Sequence, residues 1–511
     1  MRYNLFQLIH KVYFNFPTHT LFKYKINNQW NSLNYQQLIN NVDYCSYLLQ
    51  HRYNIKPDDR VMYQGSNSIE WISWNLACYR IGGIWVPSYP NQSIDYYRHL
   101  INDCQPKILI KEQNSLTDDN LDYLIPIINN KLSYEKDNLE IDKIQIDRIK
   151  EYQTDISNLI YTSGTTGKPK GVMLTHTNII SNLNSIQCRF KEMDNGLTSL
   201  NILPWSHIYG MTCELYYNLL NKNTIAISSS KEHFINECKE INPEVLYVVP
   251  RILELIKTKL DKFNFYPLDT YLIPLLLKKI VGNNLKIIFV GGSYLNQNTL
   301  SFYENYGIKI CQGYGCSETS PLISINHYLD TERNIESIGK ILDNVKVKIC
   351  KETGEILVSG DNVMNGYWNN IEETNKVLVK DNNNNIWYKT GDEGELRDNY
   401  LFYKGRIKEN YKLSNGKFVN VNEIETIIKT VLPHLQNICV FSRGDFTTNE
   451  LITDTFINKK QLNLINQYLD KYLMIKNIIY TDTELFNHFL TPKMSLKRKE
   501  FIYYLTKNKI I

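Results

Sequence analysis

Apolar residues recur along this chain in two rhythms. From Leu33 to Gln50 they fall at helical spacing (Leu33, Leu38, Ile39, Val42, Leu48, Leu49), which predicts an amphipathic helix. Lys56-Pro-Asp-Asp59 then reads as a turn and Arg60-Val-Met-Tyr63 as a strand. Asn67-Ser-Ile-Glu-Trp-Ile-Ser-Trp-Asn-Leu-Ala-Cys78 predicts a second helix, capped by Ser68 or Asn67. Gly82-Gly-Ile-Trp-Val-Pro-Ser-Tyr-Pro90 reads as a strand stopped by proline. Ser157-Asn-Leu-Ile-Tyr161, Val245-Leu-Tyr-Val-Val-Pro250 and Leu285-Lys-Ile-Ile-Phe-Val290 are short apolar runs that end in hydroxyl-, proline- or glycine-bearing strings. The alternation predicts a parallel sheet with helices on its faces. Residues 111–155 are polar and weakly periodic, and read as a surface excursion.

Bulk properties narrow the classes. With 511 residues, 43% hydrophobic and 22% charged, the chain is an ordinary globular protein long enough for several domains. A formal charge of +4 is too small for its size to argue nucleic-acid binding. The ten cysteines include no Cys-x-x-Cys pair, which points to free thiols rather than a zinc site or disulfide framework. The amino terminus has no signal-peptide core, and the longest apolar runs fall far short of the roughly 20 residues of a spanning helix. The expectation is a cytoplasmic protein with at most peripheral membrane contact. Oligomeric state is left open.

Chemistry gathers where strands end. Tyr161-Thr-Ser-Gly-Thr-Thr-Gly-Lys-Pro-Lys-Gly171 holds three glycines, four serine or threonine hydroxyls between 162 and 166, and two lysines. Such a loop can turn its N–H groups inward on a polyphosphate. It is not the P-loop, because Gly164 and Gly167 are only two residues apart and Lys168 precedes proline. Alone, it also fits a flexible glycine-rich surface loop. After the 285–290 run comes Gly291-Gly-Ser293, and then Gln312-Gly-Tyr-Gly-Cys-Ser-Glu-Thr-Ser-Pro321. Its glycines let the backbone approach a flat ring, Tyr314 could stack there, Ser317 offers a hydroxyl to phosphate, and Glu318 suits Mg²⁺. In Trp387-Tyr-Lys-Thr-Gly-Asp-Glu-Gly-Glu-Leu396, Asp392 is predicted on a turn, either as a local turn residue or as an acceptor for both ribose hydroxyls. Asp398–Lys408 reads as hairpin-like, with Asn399 in the turn.

In this order the strings resemble the adenylate-forming (AMP-binding) superfamily of acyl-CoA synthetases, luciferases and peptide-synthetase adenylation domains, most nearly its long-chain fatty acyl-CoA synthetases. The resemblance implies an α/β fold. A large amino-terminal domain, residues 1–407, would hold parallel-rich sheets with helices and a β-barrel-like subdomain. A small mobile α+β carboxyl-terminal domain, residues 408–511, would be hinged near Lys408. It implies ATP phosphates on Thr162, Ser163, Gly164, Thr165, Thr166, Gly167 and Lys170. The base would lie by Gly291, Gly292, Ser293, Gln312, Gly313, Tyr314 and Gly315, with Ser317 near phosphate and Asp392 and Arg406 on ribose. Glu318 and Thr165 would hold Mg²⁺, and Lys412 and Gly416 would line a coenzyme A tunnel. His207, in Pro204-Trp-Ser-His-Ile-Tyr-Gly210, matches a position beside the reacting carboxylate, or is simply packed between aromatics. Gly354–Trp368 resembles a block with a mainly structural role.

Three positions depart from the family pattern. Ser317 stands where threonine is usual and Val421 where proline is usual. In Leu490-Thr-Pro-Lys-Met-Ser-Leu-Lys-Arg-Lys499 the adenylating lysine of the family falls on Ser495, with Lys493 and Lys497 two residues to either side. Either a neighbour takes over, Lys497 ahead of Lys493, or adenylation is crippled. Lys497-Arg-Lys499 also reads as a solvated basic patch, or as a contact for the coenzyme A 3′-phosphate or anionic lipid. The implied activity is ATP-dependent ligation of a medium- or long-chain fatty acid to coenzyme A. The alternatives are adenylation for another acceptor, a carrier protein or amine, and a non-catalytic ATP- or acyl-binding relative. No carrier-protein domain is expected within these residues.

Overall fold

A computed structural model describes residues 3–90, 92–112, 127–129, 147–163, 168–261, 269–293, 295–414, 416–443, 446–491, 496–508 and 510–511. Local chemistry sets its elements. The first predicted helix runs Tyr35–Tyr47, with Asn34 and Gln37 capping each other's backbone N–H groups. The second runs Ile69–Arg80; its cap is Ser68, whose Oγ accepts from the Trp71 N–H at 3.1 Å. The hairpin of Ile386–Arg397 and Tyr400–Arg406 turns on Asp398 and Asn399, at φ 48° and 64°. Two consecutive left-handed residues are what a two-residue hairpin turn of this twist requires.

Six strands are mutually parallel in one sheet, in the order Thr20–Ile26, Thr224–Ile227, Thr198–Asn201, Val245–Val248, Ile287–Val290 and Lys309–Gly315. Lys309–Gly315 serves two neighbours. Residues 309–312 pair in parallel with 287–290, and residues 313–315 pair antiparallel with Leu322–Ile325. From there an antiparallel arm continues through Lys340–Ile341, Tyr400–Arg406, Ile386–Arg397, Glu355–Gly360 and Val345–Ile349. This arm occupies the place expected of the barrel-like subdomain.

A second sheet orders Gly366–Tyr367, Pro169–Thr175, Ile156–Ser163, Ile84–Ser88, Arg60–Gln64, Ile108–Lys111 and Ile127–Asn129. The last strand corrects the reading of 111–155 as a mere excursion, since residues 127–129 pair in parallel with 109–111. Period-two and helical patterns cannot register a three-residue edge strand.

Beyond Arg406 the chain builds a separate α+β unit. Its three-stranded sheet, Ile438–Phe441, Asn449–Thr453 and Ile475–Tyr480, and its helices enclose two apolar clusters made only of residues from 411 onward. It meets the rest of the chain at several points: Arg251 donates to Gln436 Oε1 and Asn437 Oδ1 at 2.9 and 3.0 Å, Gln436 Nε2 donates to Thr258 Oγ1 at 2.8 Å, and Asn420 Nδ2 to the Lys404 carbonyl at 2.8 Å. Among the described residues no helix is long and apolar enough to cross a membrane.

Candidate active site

The Tyr161–Gly171 string is half ladder. Ile156–Ser163 and Pro169–Thr175 are antiparallel partners, with Thr162 opposite Lys170 and Ser163 opposite Pro169. This corrects the reading of 162–171 as one open loop; the stem is sheet, and Gly164, Thr165, Thr166 and Gly167 lie outside the described residues. Lys170 pairs with Glu373, and its Nζ stands 5.3 Å from the centre of the Tyr367 ring. Bonds from Lys170 and Lys376 hold the Glu373 carboxyl down to about 2. Tyr367 lies on the short strand beside this stem, and its phenol donates to Glu318 Oε1 at 2.8 Å. The Gly354–Trp368 block therefore does more than fill space, because Tyr367 links the phosphate hairpin to the candidate magnesium carboxylate. Among the described residues no group of three or more His, Cys, Asp or Glu gathers at one point. A single carboxylate fits Mg²⁺, which takes its other ligands from phosphates and water.

The candidate adenosine side lies where the parallel sheet meets the antiparallel arm, at the carboxyl ends of the parallel strands. Val290 is opposite Gln312, which sets Gly291–Ser293 beside Gly313–Gly315. A Cβ at Gly291 would stand 3.2 Å from the Tyr209 ring, so Tyr209 packs on the candidate base-binding segment that follows Ile287–Val290. At Gly315 a Cβ would stand 1.8 Å from the Pro321 carbonyl oxygen. The glycine is demanded there by internal packing. Ser317 is buried at the head of a short 3₁₀ turn.

Asp392 is not on a turn. It lies inside the strand Ile386–Arg397, directly opposite Arg406. A Thr-Gly-Asp string reads as a turn because glycine usually breaks strands; here Gly391, at φ 73°, bends the strand without ending it. Asp392 is 4% exposed. Tyr314 Oη donates to its Oδ2 at 2.7 Å, and Arg406 Nε stands 3.0 Å from Oδ1. That approach lacks hydrogen-bond alignment and leaves Oδ1 buried without a donor. Burial raises the Asp392 carboxyl pKa, and Arg406 opposes the rise. Arg406 itself is half exposed. A ribose hydroxyl would supply the donor that Oδ1 lacks.

His207 is buried, and the Tyr209 N–H donates to its Nδ1 at 3.1 Å, so the neutral ring carries its proton on Nε2. A buried amide relay braces its segment. Asn67 Nδ2 donates to Asn201 Oδ1 and to the Leu203 carbonyl at 2.6 and 2.7 Å. The Trp205 N–H returns to Asn67 Oδ1 at 2.8 Å, and Asn201 Nδ2 donates to Glu214 Oε2 at 2.6 Å. Burial pushes the Glu214 carboxyl well above its ordinary range. Next to this brace, Tyr209, Cys213, Tyr217, Tyr247 and Phe289 help line an apolar cavity of about 10 Å³.

A family model described as AMP-binding enzyme matches residues 11–368. The chain belongs to that family. It is similar to the long-chain-fatty-acid–CoA ligase FadD15 of Mycobacterium bovis, 24% identical over 459 residues, 79% of this chain and 74% of the relative. The indoleacetate–CoA ligase of Aromatoleum aromaticum is 26% identical over 461 residues, 83% of this chain and 84% of the relative. In fold, it resembles the O-succinylbenzoate coenzyme A synthetase of Bacillus subtilis in complex with ATP and magnesium. The TM-score is 0.77 at 20% identity, covering 97% of this chain and 99% of that one.

Within this AMP-binding chain the remaining candidates sit on the small unit. Lys412 is exposed on Tyr411–Lys412, which pairs with Phe418–Val419, and Gly416 takes φ 84° in the turn between them. An antiparallel bridge between Leu490 and Leu496 closes a loop whose Lys493 and Ser495 lie outside the described residues. Lys497 stands at the base of that loop. Its N–H donates to the Phe489 carbonyl at 2.8 Å, and its Nζ is 3.6 Å from Glu500.

Arg498 corrects the solvated-patch reading of 497–499. Its guanidinium turns inward, giving two bonds to Glu425 at 2.7 and 2.8 Å and one to the Val440 carbonyl at 2.8 Å. Sequence reading had no signal for this, nor for the partners of Lys170 and Glu318. A charge run reads as solvent-facing until the fold supplies its partners.

Proposed function

We propose that this chain is an ATP-dependent acid–thiol ligase that joins a medium- or long-chain fatty acid to coenzyme A through an acyl-adenylate. Asp392 carries the reading. It is a buried carboxylate with one oxygen held by Tyr314 and the other beside Arg406 without a donor, in a chain of the AMP-binding family. A ribose edge satisfies that oxygen. Gly291–Ser293 and Gln312–Gly315 flank the base, with Ser317 close by, and residues 162–167 with Lys170 hold the phosphates. Lys170 exchanges Glu373 for phosphate oxygen as ATP enters. Glu318 and Thr165 would hold Mg²⁺, which neutralises charge on the departing pyrophosphate.

His207 orients the acid. A carboxylate oxygen attacks the α-phosphorus, the bond to the β-phosphate bridging oxygen breaks, and pyrophosphate leaves. Lys497, or Lys493, balances the charge that develops. Residues 408–511 then turn about Lys408, and Lys412 and Gly416 guide the thiol. Its sulfur bonds to the acyl carbon, the acyl–phosphate C–O bond breaks, AMP leaves, and the thiol proton passes to solvent.

The fatty-acid ligase among the relatives supports the acyl class. A second reading, an aromatic acid, is favoured by the four aromatic rings around so small a cavity and by the indoleacetate ligase. Acid-dependent exchange of labelled pyrophosphate into ATP, run with and without coenzyme A over fatty and aryl acids, tests both. Exchange and thioester formation with fatty acids is the expected result, and an aryl preference moves the assignment to the second reading. Exchange without thioester points to another acceptor. No exchange with any acid sinks the catalytic reading, and retained ATP binding would then leave a weakened relative with Ser495 at the lysine position.

A further inference from the structure

The helix Asp269–Val281 has two apolar faces, and among the described residues only one is packed into the core. Ile273, Leu277 and Val281 are buried in the cluster that also holds Leu253, Ile256 and Leu260 of the helix Pro250–Leu260. On the other side Tyr271 is 77% exposed, Leu275 65% and Leu272 37%. A helix on the surface of a soluble domain normally turns polar side chains outward there.

Charge says what this outer face fits. At 3.6 residues per turn, Lys278 and Lys279 fall on opposite sides of the row made by Tyr271 and Leu275, and both are exposed. The helix carries no acidic residue after Asp269. On the neighbouring helix Pro250–Leu260, Lys259 is also exposed and Leu255 is 40% exposed, and just past its end Asp261 is paired with Lys257 at 2.7 Å. Three outward apolar side chains on one helix fall well short of the roughly 800 Å² per partner of a stable protein interface. Apolar side chains at shallow depth, flanked by lysines, are what an anionic bilayer surface takes.

We propose that this face docks on an anionic lipid surface. Tyr271, Leu272 and Leu275 enter the headgroup boundary, and Lys278 and Lys279 meet lipid phosphates. Anionic lipid is one of three alternatives for the basic run 497–499, whose Arg498 turns inward to Glu425; this helix is a separate candidate surface.

Co-sedimentation of the full chain with phosphatidylcholine vesicles, with and without phosphatidylglycerol, at low and high salt, tests the proposal. The expected result is binding that needs phosphatidylglycerol and weakens with salt. Lys278→Glu and Lys279→Glu each lower partitioning roughly fivefold or more. Tyr271→Ser with Leu275→Ser lowers it about tenfold or more, because apolar surface is withdrawn from the boundary. Both residues point outward, so circular dichroism of these variants should match the parent, and the lysine variants give an independent reading. Equal binding to both vesicle types, no binding to either, or variants that bind like the parent would overturn the proposal. So would a vesicle-free dimer in light scattering that Leu275→Ser dissociates, since the face would then be a contact between two copies.

Discussion

The ribose side of the site and the loop at 490–497 stand at opposite extremes of restraint. Asp392 and Arg406 face each other across a ladder, Tyr314 reaches the same carboxylate from a third strand, and Asp392 is almost fully buried. Lys497 sits below a loop closed by one bridge, with its ammonium beside Glu500 and about a third exposed. Recognition of a rigid sugar rewards groups fixed before the ligand arrives. A lysine needed for one step only, the role proposed for Lys497, is better carried on a small element than on a braced strand. The two regions therefore predict different failures, of binding on one side and of rate on the other.

The sharpest break of that contrast is at the lysine. Lys497→Ala or Lys493→Ala is expected to slow pyrophosphate exchange by about 10²–10³ while leaving ATP affinity unchanged. Stopped-flow exchange alongside ATP titration separates the two quantities, and if neither variant slows exchange, neither residue is the adenylating lysine. Next in size, Asp392→Ala should weaken ATP binding by about 10², from the loss of charge-assisted bonds with partner groups left unpaired. Asp392→Asn, which keeps an acceptor, should lose less. Calorimetric titration reads both, and an unchanged affinity in Asp392→Ala would detach ribose from this strand.

A smaller effect tests the link between the two phosphate-side elements. Tyr367→Phe removes one hydrogen bond to an ionised carboxylate, about 1.5–3 kcal/mol, and should raise the Mg²⁺ concentration needed for exchange by roughly tenfold or more. The smallest effect is on stability. Burial lowers the pKa of His176, at the start of the helix after the phosphate hairpin, from 6.5 to about 3. The folded ring stays neutral while the unfolded ring takes a proton below pH 6.5. Stability is therefore full above that value and falls as pH drops toward 3, by at most about 1.4 kcal/mol per pH unit. Thermal melts between those limits should show a flatter slope in His176→Asn, and an equal slope would mean that other groups carry the acid sensitivity.

Much of the fold was legible because buried parallel strands announce themselves. Val245–Val248 and Ile287–Val290 are short apolar runs buried at every position, as expected of strands covered on both faces. The site strings were legible as strand-end chemistry. Pairings across the chain were not. Lys170 meets Glu373 across 203 residues, and Tyr367 meets Glu318 from a block that read as structural. Asp392 was misplaced because its glycine looked like a breaker, and the 127–129 strand because three residues have no period. Asn67, weighed as a helix cap, was freed for the amide relay when Ser68 took the cap.

The strand Lys309–Gly315 carries the parallel strands on its first half and the antiparallel arm on its second, with a register shift between Tyr314 and Gly315. Gly291, on the base side, is fixed to its first half, whereas the arm that carries Asp392 and Arg406 grows from its second half. The spacing between the candidate base and sugar positions is thus gauged along one strand. A side chain forced in at Gly315, against the Pro321 carbonyl, would throw both jaws out of true at once.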